Sequence, residues 1–284
     1  MPSIKKFRIL KFKSKPILTA KGLSKSIDKR VILRKIDFEI NKGEIFGLLG
    51  PNGAGKSVTF NVLLGIMKAD HGNVFVEGTR ITNFAIHERA KKFRIGYIPQ
   101  NDSVFKGLSC ENNLRAIAEI SIKDKVKQES IVQELLSEFN LSHLRNILGN
   151  NLSGGERKRT VIARALVNNP QILLMDEPLG SLDKRLRDDM QLEIKRIQQE
   201  IGITVIYVTH DQSEALTMSE RIVIMSMGVI QQIGSPDSLY ERPKNQFVAD
   251  FVGDTNLIDC QVEAIDGQHC KVRTENNTSF TIPY

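Results

Sequence analysis

The sequence predicts a layered α/β fold with a largely parallel β-sheet. Short apolar runs suited to buried strands alternate with stretches of helical periodicity, and parallel strands joined by helices give this alternation. A glycine-rich segment at residues 50–57 also separates one such run from a helical stretch. The predicted strands are Val31–Ile40, Glu44–Leu49, Ile95–Ile98, Gln171–Asp176, Ile203–Thr209 and Arg221–Ser226.

The spacing of apolar residues predicts the helices. The clearest helix runs from Asp183 to Glu200, where apolar residues form one stripe. Residues 110–148 contain no strand signal and indicate a helical insertion. From about Asp254 the pattern changes to short alternating segments, which predict the first strands of a small β domain. A segment of about 30 residues is too short to bury a core of its own.

Composition excludes several classes of protein. Of 284 residues, 40% are hydrophobic and 26% are charged, which is ordinary for a globular chain. The longest apolar runs stop far short of the roughly 18–20 residues of a transmembrane helix, and the basic N-terminus lacks the apolar core of a secretory signal. Three scattered cysteines predict neither a disulfide framework nor a zinc site. We therefore expect a soluble protein of a reducing compartment.

The net charge of +7 is concentrated near the N-terminus. Residues 1–35 hold twelve Lys and Arg against one acidic residue, Asp28, whereas the rest of the chain has a balance of −4. Two interpretations stay open for this segment. It is either a solvated tail or a segment attracted to anionic lipid headgroups or nucleic acid.

The strongest motif fits the pattern G-x-x-x-x-G-K-[ST] of a phosphate-binding loop. It follows the predicted strand Glu44–Leu49 and precedes a helical stretch, so backbone N–H groups and a helix N-terminus can surround phosphate oxygens. We expect Lys56 to bridge the β- and γ-phosphates of a nucleotide, and the Ser57 hydroxyl to bind Mg²⁺. The motif consists of Gly50, Pro51, Asn52, Gly53, Ala54, Gly55, Lys56 and Ser57.

Two adjacent carboxylates end the predicted strand Gln171–Asp176. We expect Asp176 to hold the metal ion beside the phosphates. Because neighbouring residues of a strand point to opposite faces, Glu177 is left to polarise the attacking water. The alternative is that both are solvated charges at a strand end.

A second glycine-containing motif is Leu152-Ser153-Gly154-Gly155-Glu156. Ser153 and Glu156 fit a capping box at the start of a helix. The two glycines leave backbone N–H groups uncovered, which suits a second phosphate site. One γ-phosphate does not need two such sites in one chain, so we expect the second to serve a nucleotide held by a partner molecule.

The ordered set of motifs resembles the nucleotide-binding subunit of an ATP-binding cassette (ABC) transporter over residues 17–253. The resemblance implies a P-loop NTPase fold with a RecA-like core, an antiparallel β subdomain and a helical subdomain at about 101–168. A basic extension (1–16) would precede it, and the start of a truncated β regulatory domain (254–284) would follow it. The motifs are residues 50–57, Gln100 after Tyr97-Ile98-Pro99, residues 152–156, Asp176-Glu177-Pro178, Ser181-Leu182-Asp183 and His210 before Asp211.

The resemblance implies ATP and Mg²⁺ as ligands and assigns a role to each motif. Glu177, His210 and Gln100 are the expected catalytic residues, and Ser57, Gln100 and Asp176 the metal ligands. Residues 50–57, with the backbone of Val58, bind ATP. Ser153, Gly154 and Gly155 reach the γ-phosphate of the facing subunit, and Asp183 links the two sites.

The same resemblance implies partners and a location. The expected partners are a second copy of the chain, giving a homodimer, and the transmembrane subunits of a permease, with no nucleic acid. The chain would associate with the membrane indirectly, at the cytoplasmic face of the inner (plasma) membrane of a bacterium.

Two residues depart from the family pattern. An aromatic side chain usually stacks on adenine about 25 residues before the phosphate-binding loop, and this sequence has Ile27 there. Val58 stands where a Thr is common, so a hydroxyl near the α-phosphate is lost while the backbone N–H stays.

Two parts of the chain resemble different subfamilies. Residues 17–178 look like the ATPase of the bacterial lipopolysaccharide exporter, whereas residues 179–253 look like importer ATPases for polyamines, ferric iron or sugars. Import is favoured because residues after 253 fit the importer pattern; lipopolysaccharide export is the alternative. A soluble ABC ATPase that acts on ribosomes or DNA is a further alternative, although such proteins usually carry two cassettes or a long coiled coil. A third alternative is a nucleotide-dependent regulator that does not hydrolyse ATP. Such a protein would lack the catalytic carboxylate or histidine, whereas Glu177 and His210 are both present.

Overall fold

The structure is a computed structural model that describes residues 16–101, 103–180, 182–253 and 255–283. Of the predicted extension 1–16, residues 1–15 lie outside this description. The strands are β1 (Pro16–Ile27), β2 (Arg30–Asn41), β3 (Ile45–Leu49), β4 (His71–Val76), β5 (Thr79–Arg80), β6 (Ile95–Ile98), β7 (Ile172–Asp176), β8 (Thr204–Thr209), β9 (Arg221–Ser226), β10 (Val229–Gly234), β11 (Cys260–Asp266), β12 (His269–Thr274) and β13 (Ser279–Pro283). The α-helices are α1 (Lys56–Leu64), α2 (Ile86–Phe93), α3 (Cys110–Ser121), α4 (Lys125–Glu138), α5 (Gly154–Leu166), α6 (Lys184–Ile201), α7 (Gln212–Met218), α8 (Pro236–Glu241) and α9 (Gln246–Val252).

Six strands form the central sheet, in the order β10-β9-β3-β8-β7-β6. All neighbouring strands in it are parallel except β10 and β9. Every residue of β3 and β8 is buried, as expected for a parallel sheet covered on both faces. Leu49 lies opposite Thr209, and Asp176 lies opposite Val208, so β3, β7 and β8 end at one edge of the sheet. The segments that follow these strands are therefore neighbours in space.

The second sheet is antiparallel, with the order β2-β1-β4-β5. It shares an apolar core with β3 and α1, in which the rings of Phe38 and Phe46 stack with centroids 5.6 Å apart. The predicted strand Val31–Ile40 belongs to this sheet, as β2, and not to the parallel one, because it pairs with the bulged strand β1. This sheet is the antiparallel subdomain that the family resemblance implied.

Between β6 and β7 the described chain contains helices and no strand of either sheet, as predicted for the helical insertion. The helices α3, α4 and α5 share one apolar core, to which Leu114, Leu135 and Ile162 contribute. The predicted helix Asp183–Glu200 is α6, and its stripe residues Met190 and Ile194 are buried. In the described ranges, no helix is both long and apolar enough to cross a membrane.

The alternating pattern after residue 254 corresponds to a three-stranded sheet, β11-β12-β13. Cys270 and Val272 of the middle strand are buried, whereas every residue of β11 and β13 is exposed. The small buried fraction agrees with the expectation that this short segment does not form a core of its own.

Candidate functional site

The glycine-rich loop of residues 50–57 connects β3 to α1 at the carboxyl edge of the central sheet. Gly53 and Gly55 have φ angles of 78° and 100°, in the left-handed region that favours glycine. A side chain at Gly50 would bring its Cβ to 2.3 Å from the Met225 carbonyl oxygen. Glycine is therefore required both for the path of the loop and for its close packing on β9.

Lys56, the first residue of α1, is 6% exposed. Its Nζ donates hydrogen bonds to the carbonyl oxygens of Gly50 at 2.6 Å and Pro51 at 3.1 Å. Burial lowers the pKa of Lys56, and the nearby charges of Glu177 and Asp176 partly oppose this effect. The next side chain, Ser57, is exposed, and that of Val58 packs partly into the apolar core.

Asp176 and Glu177 follow each other at the end of β7, as predicted. Burial raises the pKa of Asp176, repulsion from Glu177 raises it further, and the charge of Lys56 opposes both. Glu177 has a φ of 41°, uncommon for a residue with a side chain. Its N–H donates to the Val208 carbonyl oxygen at 2.9 Å, which fixes this strained turn against β8.

Two of the three predicted catalytic residues, Gln100 and His210, contact the carboxylate of the third, Glu177. Gln100 Nε2 donates a hydrogen bond to Glu177 Oε2 at 2.9 Å, and His210 Nδ1 lies 3.0 Å from Glu177 Oε1. Gln100 follows β6 and His210 follows β8, the two strands that flank β7. The His210 side chain is 56% exposed. The parallel order of the sheet therefore brings together three residues that are far apart in the sequence.

Ser153 and Glu156 form the predicted capping box at the start of α5. Ser153 Oγ accepts a bond from the Glu156 N–H at 3.4 Å, and Glu156 Oε2 accepts one from the Ser153 N–H at 2.7 Å. Gly154 is exposed, whereas Gly155 is buried; a Cβ at Gly155 would lie 2.8 Å from Leu186 Cδ1 of α6. Both hydrogen bonds between Ser153 and Glu156 serve the cap of α5 and not the loop 50–57.

Asp183 is the N-cap of α6, where its Oδ1 accepts a hydrogen bond from the Leu186 N–H at 3.0 Å. Its side chain is exposed, as is Gly180 before it. Ser181, which belongs to the same predicted motif, lies outside the described residues. Gly180 and Asp183 thus lie on the surface between β7 and α6, whereas Leu182 is buried.

Ile27, at the position of the family's aromatic residue, ends β1 at the tip of its hairpin with β2. The side chain is 37% exposed. The hairpin lies beside the phosphate-binding loop, because a Cβ at Gly55 would be 3.2 Å from the Ile32 carbonyl oxygen and 2.8 Å from Leu33 Cδ2. The hairpin that carries Ile27 therefore borders the loop.

A buried acidic residue that sequence reasoning did not single out, Glu214, contacts the end of β8 just before His210. Its carboxylate accepts hydrogen bonds from Tyr207 and Thr209 of β8 and faces Arg187 of α6. In the sequence, Glu214 follows Asp211 by three residues, a spacing typical of a helix start. This spacing indicates a helix cap and no further role.

Comparisons with known proteins identify the family. A family model described as "ABC transporter" matches residues 33–180. The spermidine/putrescine import ATP-binding protein PotA of Trichormus variabilis is 36% identical over 262 residues, which cover 92% of this chain and 68% of that protein. PotA of Clostridium novyi is 42% identical over 245 residues, covering 86% of this chain and 69% of that protein. An alignment of 262 residues includes most of residues 17–178, so the importer similarity is not confined to residues after 178.

Two solved structures that match this fold come from ABC transporters. The cbiO1 protein of Clostridium perfringens, part of the ABC transporter complex cbiONQ, matches with a TM-score of 0.75 and 26% identity over 81% of this chain and 92% of that one. A nucleotide-free ATP-binding cassette of an ABC transporter matches with a TM-score of 0.74 and 26% identity, covering 85% of this chain and 100% of that one. The chain therefore belongs to the ABC transporter family, as an ATP-binding subunit of the kind that hydrolyses ATP to power transport.

Proposed function

We propose that two copies of this chain bind two ATP molecules between them and power a membrane permease that imports a polyamine. The observation that carries this proposal is the convergence of Gln100 and His210 on the carboxylate of Glu177, beside Lys56. Import of a polyamine is supported by the relatives named spermidine/putrescine import proteins, whose similarity spans 92% of the chain.

The loop from Gly50 to Ser57, with the backbone of Val58, is the proposed phosphate site. Its backbone N–H groups and the N-terminus of α1 would face phosphate oxygens. Lys56 would exchange its bonds to the Gly50 and Pro51 carbonyls for bonds to the β- and γ-phosphates. A charge-assisted bond to phosphate is stronger than one to a neutral carbonyl, so this exchange favours binding.

The residues Ser57, Gln100 and Asp176 fit a Mg²⁺ ion. They offer a hydroxyl, an amide oxygen and one carboxylate, the oxygen ligands of an ion that usually keeps several waters. The raised pKa of Asp176, caused by burial and by Glu177, indicates a carboxylate that a nearby cation would stabilise in its charged form. Held by these residues, the ion would supply positive charge that partly neutralises the phosphates.

For hydrolysis, Glu177 is the proposed base. It would take a proton from the water that attacks the γ-phosphorus, while the bond from that phosphorus to the β-phosphate oxygen breaks. His210 and Gln100 hold the two oxygens of Glu177 and so orient its carboxylate. His210 would also donate a hydrogen bond to the γ-phosphate.

The segment Ser153–Gly155 is the proposed contribution of the second copy. Its exposed glycine and the N-terminus of α5 suit a γ-phosphate, and the bonds between Ser153 and Glu156 use only the N–H groups of those two residues. Asp183, on the adjoining surface loop, would join the two nucleotide sites across a two-fold axis.

The proposed permease contact is a cavity of about 300 Å³ between the central sheet and the helical insertion. Its lining is mainly apolar and includes Ile86, Tyr97, Phe105 and Ile117. A short helix of a membrane subunit would fill it with its apolar face, which would bring the chain to the cytoplasmic face of a bacterial inner membrane as a peripheral subunit. Co-purification with candidate permeases tests the substrate class, and capture of lipopolysaccharide-export subunits alone would overturn the import proposal.

The Glu177→Gln variant tests the site. The change removes the base but keeps the size of the side chain, so ATP binding should persist, turnover should fall by at least roughly a hundredfold, and an ATP-bound dimer should accumulate. The measurements are phosphate release and size-exclusion chromatography with light scattering, with and without ATP. Glu200→Gln is the matched control, because Glu200 pairs with Arg196 on the surface of α6. Near-normal phosphate release from Glu177→Gln would show that the water is activated elsewhere.

A further inference from the structure

Glu214 holds the backbone on both sides of His210. This carboxylate is 2% exposed. Its Oε2 accepts hydrogen bonds from Thr209 Oγ1 at 2.8 Å and from the Tyr207 hydroxyl at 3.0 Å. Thr209 Oγ1 in turn accepts a bond from the Asp211 N–H at 3.0 Å. The residues before and after His210 are therefore fixed to one buried group.

Arg187 connects this group to the loop that carries Asp183. It lies in the first turn of α6, and its Nη2 donates a hydrogen bond to the Leu182 carbonyl oxygen at 3.0 Å. Its Nη1 donates to Asp211 Oδ2 at 3.2 Å. One rigid guanidinium plane thus spans the residue before Asp183 and the residue after His210.

The Nε donor of Arg187 lies just beyond hydrogen-bonding distance of Glu214. Its Nε is buried and, among the described residues, has no hydrogen-bond partner; it lies 3.6 Å from Glu214 Oε1. A shift of about 0.6 Å would bring this pair to normal bonding distance. A buried donor without an acceptor is unfavourable, so closing this gap would stabilise the network.

We propose that Arg187 and Glu214 are positioning residues that couple the loop carrying Asp183 to the orientation of His210. When that loop docks on the second copy of the chain, the first turn of α6 moves, the Arg187–Glu214 bond closes, and His210 is held firmly against Glu177. The inference rests on the proposed shared ATP sites and deepens them. It makes turnover depend on the contact between subunits, through a link that touches neither nucleotide.

The test compares Arg187→Met and Arg187→Lys in the full chain. Arg187→Met removes the link, and kcat should fall by roughly tenfold or more while the KM for ATP stays within about twofold, since small misplacements near the reacting groups have effects of this size. Lys keeps the charge, but one ammonium does not span Leu182, Asp211 and Glu214. We expect Arg187→Lys to restore the melting temperature but not kcat.

A purely structural role makes a different prediction for the same variants. In that case Lys would restore kcat together with the melting temperature, and this result would overturn the proposal. Arg196→Gln is the matched control, because its guanidinium lies on the same helix and binds Glu200 one turn away; its kcat should equal that of the unchanged chain.

A second pair of measurements separates this inference from the proposed function. Each Arg187 variant is combined with Glu177→Gln, and ATP-dependent dimerisation is measured. Absence of the dimer in Glu177→Gln alone would contradict the shared sites themselves. Suppose that Glu177→Gln alone forms the dimer. The coupling is then supported if the Arg187 variants have a low kcat and their combinations with Glu177→Gln still dimerise. A normal kcat, or loss of the dimer in those combinations, overturns it.

Glu214→Gln keeps the test decisive if Arg187→Met does not fold. The amide oxygen still accepts the bonds from Thr209 and Tyr207, but the charge that faces Arg187 is lost. We expect a fall in kcat of roughly three- to tenfold with an unchanged KM. An unchanged kcat would overturn the proposal.

Discussion

The guanidinium of Arg89 occupies the space that any side chain at Gly65 would need. A Cβ at Gly65 would lie 2.7 Å from Arg89 Nε and 3.0 Å from Cζ, and Gly65 has a φ of 81°. Arg89 is 1% exposed and donates hydrogen bonds to four carbonyl oxygens, those of Val62, Leu63, Thr82 and Phe84. Burial lowers the pKa of Arg89 to about 10, so it stays charged at neutral pH. A buried cation thus closes the C-terminal end of the helix that begins at Lys56.

Replacing this cation should destabilise the protein. Arg89→Met leaves several buried carbonyl groups without donors and removes a positive charge from a helix C-terminus. We expect a loss of roughly 3 kcal/mol, which lowers the melting temperature by about 6–12 °C in a chain of this size. Lys91→Met, at an exposed position of α2, is the control and should leave the melting temperature nearly unchanged. Equal melting temperatures for the two variants would contradict this role of Arg89.

The stability of the helical insertion should depend on pH through Glu111. Its carboxylate accepts bonds from Arg115 at 2.6 Å and from Arg145 at 2.9 Å, and these bonds lower its pKa below the ordinary value of 4.5. A lowered pKa in the folded state gives stability that is present above the unfolded pKa and disappears as the pH falls through the folded pKa. Glu111→Gln should therefore melt earlier than the unchanged chain at pH 7, and the difference should shrink below about pH 4.

The control for this prediction is Glu129→Gln. Glu129 also pairs with Arg115, but its side chain is 50% exposed, so the pair contributes less. Thermal unfolding followed by circular dichroism between pH 7 and about pH 3, a range that extends below the ordinary glutamate pKa of 4.5, measures both variants. A difference for Glu111→Gln that stays constant across this pH range would mean that the carboxylate charge is not the cause.

The central sheet and the cluster of Gln100, Glu177 and His210 could be predicted for a common physical reason. Fully buried parallel strands appear in the sequence as continuous apolar runs, so Ile172–Asp176 and Thr204–Thr209 were recognisable. Strands of one parallel sheet end at one edge, so motifs at strand ends had to be neighbours. The family resemblance supplied the roles of Gln100 and His210, which no periodicity indicates.

Other elements gave no such signal. The strand Pro16–Ile27 has a mixed burial pattern with several register shifts, so neither a continuous apolar run nor a strict alternation marks it. The pairing partner of Val31–Ile40 also cannot be read from its own alternation, so only the structure places this strand in the antiparallel sheet. Arg187 and Glu214 look like exposed helix residues in the sequence, because only the fold brings their side chains together.

Ile27→Tyr should strengthen ATP binding. Ile27 is the last residue of β1, and the hairpin of β1 and β2 borders the phosphate-binding loop. We expect an aromatic ring at position 27 to stack on adenine. Stacking of a base on an aromatic side chain is worth about 1–3 kcal/mol, so the Kd for ATP should fall by roughly five- to a hundredfold. Calorimetry with ATP and with inorganic triphosphate separates the base from the phosphates. Ile27→Leu is the control, and an equal gain for triphosphate would exclude adenine stacking as the cause.

The shared site predicts that two inactive variants restore activity when mixed. Lys56→Ala removes the cation nearest the triphosphate, and Ser153→Arg places a bulky charge at the N-terminus of α5. In a homodimer each change disables both sites. In the mixed dimer, however, one site carries both changes and the other carries neither, because a two-fold axis pairs the loop 50–57 of one copy with Ser153 of its partner.

Phosphate release measured across mixing ratios should therefore peak near equal amounts of the two variants, at no more than about half the activity of the unchanged chain, since at most one site per mixed dimer is intact. A pull-down with a tag on one variant establishes that mixed dimers form. A site contained within one chain predicts no recovery at any ratio. Cysteines at positions 57 and 153 of different copies supply an independent readout, because a cross-link between them forms only if the two copies face each other. If the cysteine variants cross-link while the mixture of Lys56→Ala and Ser153→Arg stays inactive, one intact site does not turn over alone. If no cross-link forms, Ser153 is a helix cap and nothing more.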